Sequence, residues 1–266
     1  MKGETAVQIT CYRDNKLISR DDNVAVEEPL EVYLCGAPFY MTMRSPGLEK
    51  ELALGLCFSE GIIDSLKDVE IVEYCGAEAG NRVDVLLDPR RKAAKNPIVK
   101  ERRSPAYSSC GICGKELVAD IHTKVPVRAA DFVAPASRIK EIVGVLNESQ
   151  EVFERTGGTH AVGIFDKNWQ LLAFAEDIGR HNALDKAVGK IIIADKLNDA
   201  MIIGLTSRMS YEMIIKASRT PAQILVGISA PTSLGIDLAR KVNLTVVGFV
   251  KQDRFNIYSA TERIVY

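Results

Sequence analysis

The spacing of apolar positions changes twice along the chain. At first they fall in short runs: "TAVQITCY", "EVYLCG" and "FYMTMRS" mix aromatic and β-branched residues as strands do. Two more such runs occupy 69–74 and 82–87. Amid these strands, "SPGLEKELALGLCFSEGII" sets Leu48, Leu52 and Leu56 four apart, one face of a helix, with Pro46 near its start and Gly61 near its end. Strands around one helix predict a small α+β domain over residues 1–100.

The period then disappears. "DPRRKAAKNPIVKERRSPAYSSCGICGKE" has no regular apolar spacing, and from Arg90 to Arg103 it carries seven Lys or Arg against one acid, Glu101. Segments this long without a period tend to be functional or unstructured. Residues 101–134, which include Cys110 and Cys113, therefore read as a mobile loop and linker. The basic run reads most simply as a solvated face.

From about Pro135 helical spacing returns. Ile139, Ile142, Val143 and Leu146 form a stripe, with Ser137 placed to cap it. "THAVGIFD" and "QLLAFAED" read as two strands joined by "KNW", and Leu184, Ala187, Val188, Ile191 and Ile192 mark another helix. A unit then recurs as apolar run, polar turn, helix: "DAMIIGL", "TSRMS", "YEMIIKASR", then "QILVGI", "SAPTS", "LGIDLARK", and a last run, "NLTVVGF". Short continuous apolar runs suit parallel strands buried on both faces. Their alternation with helices predicts right-handed βαβ crossovers. The expected fold class is α/β: a three-layer C-terminal domain over 135–266 with a partly parallel sheet, plus the smaller α+β N-terminal domain.

Composition narrows the function. Across 266 residues, 34 Lys plus Arg balance 35 Asp plus Glu, so net charge points to neither nucleic acid nor a membrane surface. "MKGETAVQIT" lacks the apolar core of a signal peptide, and no apolar run approaches a membrane span, which makes the cytoplasm the expected location. Thiols there stay reduced. Cys35 and Cys57 lie in apolar surroundings and read as small buried hydrophobes, while Cys11 and Cys75 have no partner nearby in sequence.

Candidate chemistry gathers in two places. In an open parallel sheet, ligands bind outside the carboxyl ends of the strands. There the repeats put Thr206, Ser207 and Arg208, the turn from Ser229 through Thr232 to Ser233, and Lys251 to Arg254. Two of these turns open helices, whose free N–H groups favour anions, so the rim predicts a phosphorylated ligand. Glu176, Asp177, Arg180, His181 and Asn182 crowd another strand-to-helix junction; Asn182 reads as an N-cap, and His181 could face Asp185 at helical spacing. "TGGTH" offers a close backbone approach at Gly157 and Gly158 before His160. Neither G-x-G-x-x-G nor a P-loop motif is present.

The second place is "SSCGICGKE". A structural zinc site wants four ligands, but there is no second C-x-x-C and the chain has three histidines, His122, His160 and His181. The H-x-E and P-C-x-x-C pair of zinc deaminases is also missing. A thioredoxin-like couple would sit in a βαβ unit, far from this loop. Two readings stay open on chemistry alone: inert cysteines, or a nucleophilic sulfur carrier helped by Lys115, Arg102 and Arg103.

"SSCGICG", "TGGTHAVGIFD", "AEDIGRHNALDKAVG", "SYEMIIKAS", "ISAPTSLGIDLA" and "VVGFVKQDRFNIYS", in that order, resemble the formate dehydrogenase accessory sulfurtransferase (FdhD) family. One departure is "TSRMS", where the family more often has Gly before the arginine. The resemblance implies a cytoplasmic homodimer that takes persulfide sulfur from a cysteine desulfurase. It delivers this sulfur to the molybdenum cofactor, bis-molybdopterin guanine dinucleotide, needed by formate dehydrogenase. Catalysis carries over onto Cys110 and Cys113, with Cys110 as persulfide carrier. Cofactor contact carries over onto Phe249, Val250, Lys251, Gln252, Asp253 and Arg254, beside the rim candidates Ser229, Thr232, Ser233, Arg208, Arg180 and His181. The implied fold is cytidine-deaminase-like without its zinc ligands. The rival is a non-covalent cofactor-binding chaperone; a zinc-binding regulator is a third reading.

Overall fold

The computed structural model describes residues 3–75, 81–91, 106–107 and 127–266. Strands β1 (Glu4–Arg13) and β2 (Lys16–Ala25) form an antiparallel hairpin that turns through left-handed Asp14 and Asn15. Next come β3 (Glu28–Leu34), β4 (Ala37–Arg44), helix α1 (Glu49–Ser59), β5 (Val69–Cys75), β6 (Arg82–Leu87) and the short β7 (Ala106–Tyr107). These strands form a five-stranded sheet in the order β5-β6-β3-β4-β7.

The second half opens with β8 (Ala134–Pro135), α2 (Ala136–Ser149), α3 (Glu151–Thr156), β9 (His160–Phe165), β10 (Leu171–Asp177) and α4 (Arg180–Ile193). It continues through β11 (Ile202–Leu205), α5 (Tyr211–Arg219), β12 (Ile224–Gly227), α6 (Ser233–Lys241), β13 (Thr245–Gly248), β14 (Asn256–Ser259) and β15 (Ile264–Val265). Its six-stranded sheet has the order β10-β9-β11-β12-β13-β14, with β11, β12 and β13 parallel and the others antiparallel. The partly parallel sheet and the recurring strand–helix unit are as the apolar runs predict. β15 returns to pair with β8.

Both faces of this sheet are covered. Ile139, Ile142 and Leu146 of α2 cluster with Phe165, Ile202, Ile224, Val226 and Val247. Residues of α4, α5 and α6 cluster with Ile164, Ile203, Leu205, Leu225 and Val246. That second cluster does not stop at the N-terminal half: Leu30, Val32, Val83, Val85 and most of α1 belong to it. Helix α1 lies against α4 so closely that the backbones touch. A Cβ added at Gly55 would come within 1.9 Å of the Asp185 carbonyl oxygen, and one at Gly189 within 1.9 Å of the Glu51 carbonyl oxygen.

Three local expectations differ from what is observed. β2 is absent from the apolar pattern because "KLISRDDNVA" is exposed along nearly its whole length. Ser137 does not cap α2: Pro135 holds the N-cap position, and Ser137 lies inside the first turn. The helical stretch after Ser137 is also two helices, broken at Gln150. Beyond the described gap the chain is pinned by arginines. Buried Arg128 donates to the carbonyls of Ser218, Thr220 and Ala222, and buried Arg263 to those of Ala129 and to Thr245 Oγ1.

Candidate functional site

Strand directions bring five turns to one edge of the six-stranded sheet. β11, β12 and β13 end there; β9, antiparallel to β11, begins there; β10 ends there with Asp177 opposite His160. Backbone hydrogen bonds lace the turns together. Met209 N–H donates to Ala230 O (3.0 Å) and Thr232 N–H to Met209 O (3.1 Å). Phe249 N–H donates to Ser229 O (3.2 Å), and Thr206 N–H to Ala161 O (3.1 Å). The "TSR", "SAPTS" and "FVKQDR" turns are thus one continuous surface.

The predicted rim residues divide by what they present. Arg208, Ser233, Lys251, Gln252, Asp253 and Arg254 are exposed. None of the three cations meets a carboxylate among the described residues. Phe249 is 42% exposed and sits at φ +53, a conformation rare for a non-glycine residue and common where function holds a backbone in place. Thr232 caps α6, its Oγ1 accepting from Gly235 N–H at 3.3 Å. Val250 differs from its expected role: its side chain is 2% exposed, packed in the α2 cluster, and its N–H is committed to Gly227 O. Ser207 is buried with its hydroxyl donating to Arg208 O at 3.3 Å.

The acidic junction serves a different purpose. Asp177 is fully buried; its two oxygens take Lys186 Nζ (2.6 Å), Ser45 N–H (3.1 Å), Gly179 N–H (2.8 Å) and Asn182 Nδ2 (3.1 Å). Asn182 is not the N-cap of α4; Gly179 is, and the Asn182 amide instead ties Asp177 to Met43 O. Nor does His181 face Asp185. Asp185 takes Lys216 Nζ (2.7 Å) and Ser59 Oγ (2.7 Å). His181 Nε2 lies 2.8 Å from Glu212 Oε2 without the alignment of a hydrogen bond. Burial, with Lys216 and Arg180 adding to it, pulls the His181 imidazole down to about 3, so it stands neutral at pH 7. Burial also pushes the Cys57 thiol up, in keeping with a packing role.

A cavity of about 440 Å³ opens on the α2 side of the rim, lined among others by Gln150, Phe153, Thr159, His160, Thr206 and Ile228. Burial, and then the positive charges of Arg180 and Arg208, hold the His160 imidazole below its ordinary value. Thr159 Oγ1 donates to Glu176 Oε1 at 2.8 Å, and Glu176 also takes the Val152 and Phe153 N–H groups at the start of α3. Gln150 and Asn147 carried no signal as site residues.

Cys110 and Cys113 lie outside the described residues, as do His122 and Lys115. The last described strand before them, β7, pairs in parallel with β4, setting Tyr107 beside Met41. Among the described residues no three His, Cys, Asp or Glu side chains gather as a metal site, and no helix is long and apolar enough to cross a membrane.

Comparison with known proteins gives consistent matches along the chain. The model of the FdhD/NarQ family matches residues 25–265. A "Sulfur carrier protein FdhD" of Anaeromyxobacter dehalogenans is 38% identical over 256 residues, covering 91% of this chain and 88% of that one. That of Sulfurisphaera tokodaii is 38% identical over 264 residues, 97% and 98% of the two chains. The crystal structure of a proposed formate dehydrogenase accessory protein from Desulfotalea psychrophila superposes with a TM-score of 0.81 over 99% of this chain and 100% of that one. At 24% identity, that likeness speaks for the fold.

Proposed function

Because the chain belongs to the FdhD/NarQ family, we propose that it is a sulfurtransferase that carries sulfur on Cys110. It takes sulfur from a cysteine desulfurase and delivers it to bis-molybdopterin guanine dinucleotide for formate dehydrogenase. The supporting observation is the rim. Five turns converge there with Arg208, Lys251 and Arg254 exposed and free of carboxylates among the described residues. Such a surface suits the phosphates of a large anionic substrate. Chain connectivity supports bringing the thiols to it. Tyr107 pairs with Met41, Thr42 and Met43 bond to Asn182 in the first turn of α4, and Arg180 of that turn lies near His160. Cys110 follows Tyr107 by three positions, a reach of at most roughly 10 Å.

The proposed chemistry balances as two thiol exchanges. The Cys110 thiolate attacks the outer sulfur of the donor's persulfide. The donor's S–S bond breaks, the donor leaves as a thiolate, and Cys110 holds –S–SH. The Cys113 thiolate then attacks the Cys110 sulfur, forming a Cys110–Cys113 disulfide and releasing hydrosulfide for the substrate's metal centre. A thiol reductant reopens the disulfide. The exposed cations of the rim hold the substrate's phosphates during this exchange. The homodimer, the cytoplasmic setting and a cytidine-deaminase-like arrangement of the second half belong to the same proposal, on the strength of the family resemblance.

Intact-protein mass spectrometry after incubation with a cysteine desulfurase and cysteine, without reductant, tests the covalent step. Wild type should gain one reductant-sensitive sulfur mapped to Cys110, and Cys110→Ala should gain none while still binding the substrate. No gain in wild type, with the substrate still bound, would leave a non-covalent chaperone that uses the rim alone.

A further inference from the structure

We propose that the free edge of the N-terminal hairpin is a self-association surface, on which β1 pairs antiparallel with β1 of a second copy of this chain across a two-fold axis. The homodimer proposed above rests on family resemblance; the hairpin supplies, from its own pattern, the surface that such a dimer uses. β1 and β2 run together for ten pairs, from Glu4 opposite Ala25 to Arg13 opposite Lys16, a ribbon roughly 30 Å long. Its base is pinned to the body: Arg155 of α3 holds Glu4 at 2.7 Å, and Val26 N–H donates to Gly3 O at 3.0 Å. Beyond that base, neither core cluster of the described residues takes a side chain from either strand. A two-stranded ribbon by itself is marginally stable in water and gains from further strands.

The two edges of the ribbon differ. β2 carries Lys16, Arg20, Asp21 and Asp22, and α3 packs beside it. Charges of that kind guard an edge against pairing. β1 has no charged residue from Thr5 to Tyr12, and its outer backbone groups meet no other strand among the described residues. Thr5, Val7, Ile9, Thr10 and Tyr12 are β-branched or aromatic, as suits a strand paired on both sides. Symmetry then selects a second copy as the occupant. With Ile9 on a two-fold axis, Val7 falls opposite the partner's Cys11, Gln8 opposite the partner's Thr10 and Ala6 opposite the partner's Tyr12. Side chains directly opposite one another share a face, so apolar meets apolar and polar meets polar. The Tyr12 ring, 69% exposed, is set against a small side chain. An isologous contact requires such a self-match. The stripe that Val7, Ile9 and Cys11 form with Ile18 and Val24 on one face of the ribbon continues across the axis into a four-stranded sheet. A net charge of −1 leaves little repulsion between copies.

Sedimentation of the full-length protein in reductant, at tens of micromolar, should show a dimer. Ile9→Lys and Ile9→Asp each set like charges face to face on the axis and should weaken association about tenfold. Mixed in equal amounts, the two variants should recover the dimer, because opposite charges then meet there; this recovery separates a broken contact from a misfolded hairpin. Opposed residues of an antiparallel pair stand about 4.5–5.5 Å apart at Cα, within disulfide reach. Without reductant, Ile9→Cys should therefore cross-link at position 9 and Val7→Cys to the partner's Cys11, both mapped by peptide mass spectrometry. A monomeric wild type overturns the surface and the homodimer together. A dimer indifferent to both charge variants, one that the mixture does not restore, or one in which neither cysteine variant cross-links overturns the β1 surface and assigns the homodimer to another face. Sulfur loading of Cys110 is read separately by mass, so none of these outcomes touches the sulfurtransferase reading.

Discussion

At the start of α4, the Asp177 carboxylate is wholly buried and takes four donors from three parts of the chain; along the same edge of the sheet, Arg208, Lys251 and Arg254 stand in solvent with no carboxylate to meet among the described residues. Both regions are strings of charged and small polar residues in sequence. The first is a joint: Thr42 and Met43 of β4 bond to Asn182 of α4, and Asp177 takes Ser45 just beyond β4 together with Asn182 and Lys186 of α4. The second meets no carboxylate among the described residues, which is what a binding surface for anions requires. Charge that closes on itself builds the fold, and charge left open is available to a ligand.

Mutation can break this contrast from the structural side first. Asp177→Ala leaves the Lys186 ammonium buried without its partner, and removing one member of a buried pair costs about 3–5 kcal/mol. The expected drop in thermal midpoint is on the order of 10 °C, read by calorimetry. Gly55→Ala comes next. Its Cβ has no room against the Asp185 carbonyl, so α1 and α4 must move apart, at about 1–3 kcal/mol by the measure of overpacked cores; denaturant unfolding should show it.

Acid reaches the fold through His181. His181 has a folded value of about 3 against an unfolded value of about 6.5. The unfolded chain therefore takes up a proton as pH falls through 6.5 while the folded chain does not. Stability is full above that pH and declines between about 6.5 and 3, by at most about 1.4 kcal/mol per pH unit from this one group. Glu212, close to the ring, opposes the decline. His181→Gln should flatten the slope in urea unfolding series run from pH 7 to pH 4; an unchanged slope would assign the acid sensitivity elsewhere. The smallest effect on stability belongs to the open region. Arg254→Ala should change unfolding free energy by less than about 0.5 kcal/mol, yet weaken pyrophosphate binding and reduce its dependence on salt. A variant that binds as before but melts early would erase the distinction between the two regions.

Much of the second half is legible from sequence because its strands are buried on both faces. Ile202 to Leu205, Ile224 to Gly227 and Thr245 to Gly248 are buried throughout, so they read as unbroken apolar runs separated by polar turns. The rim followed directly, since strand direction fixes where the turns go. The cavity was not legible. Gln150 looks in sequence like any polar residue on a helix, and only the break between α2 and α3 turns it inward. His181 misled for a related reason: helical spacing offers it Asp185, but Lys216 and Ser59 arrive from distant positions and claim that carboxylate. Gly55 and Gly189 could not be recognised at all, because a close crossing of two helices is a property of the pair. β2, polar on nearly all its length, is held by its register with β1 and leaves no apolar period to read.

The shared core has a consequence for how the chain tolerates being cut. Arg91 and Val127 flank the cysteine segment, and the pieces on either side are bound by the α1–α4 crossing and the Asp177 joint, neither of which uses residues between them. A single proteolytic nick in that interval severs the covalent link while the fragments remain interlocked. The nicked protein should travel as one species through a sizing column and separate only in denaturant.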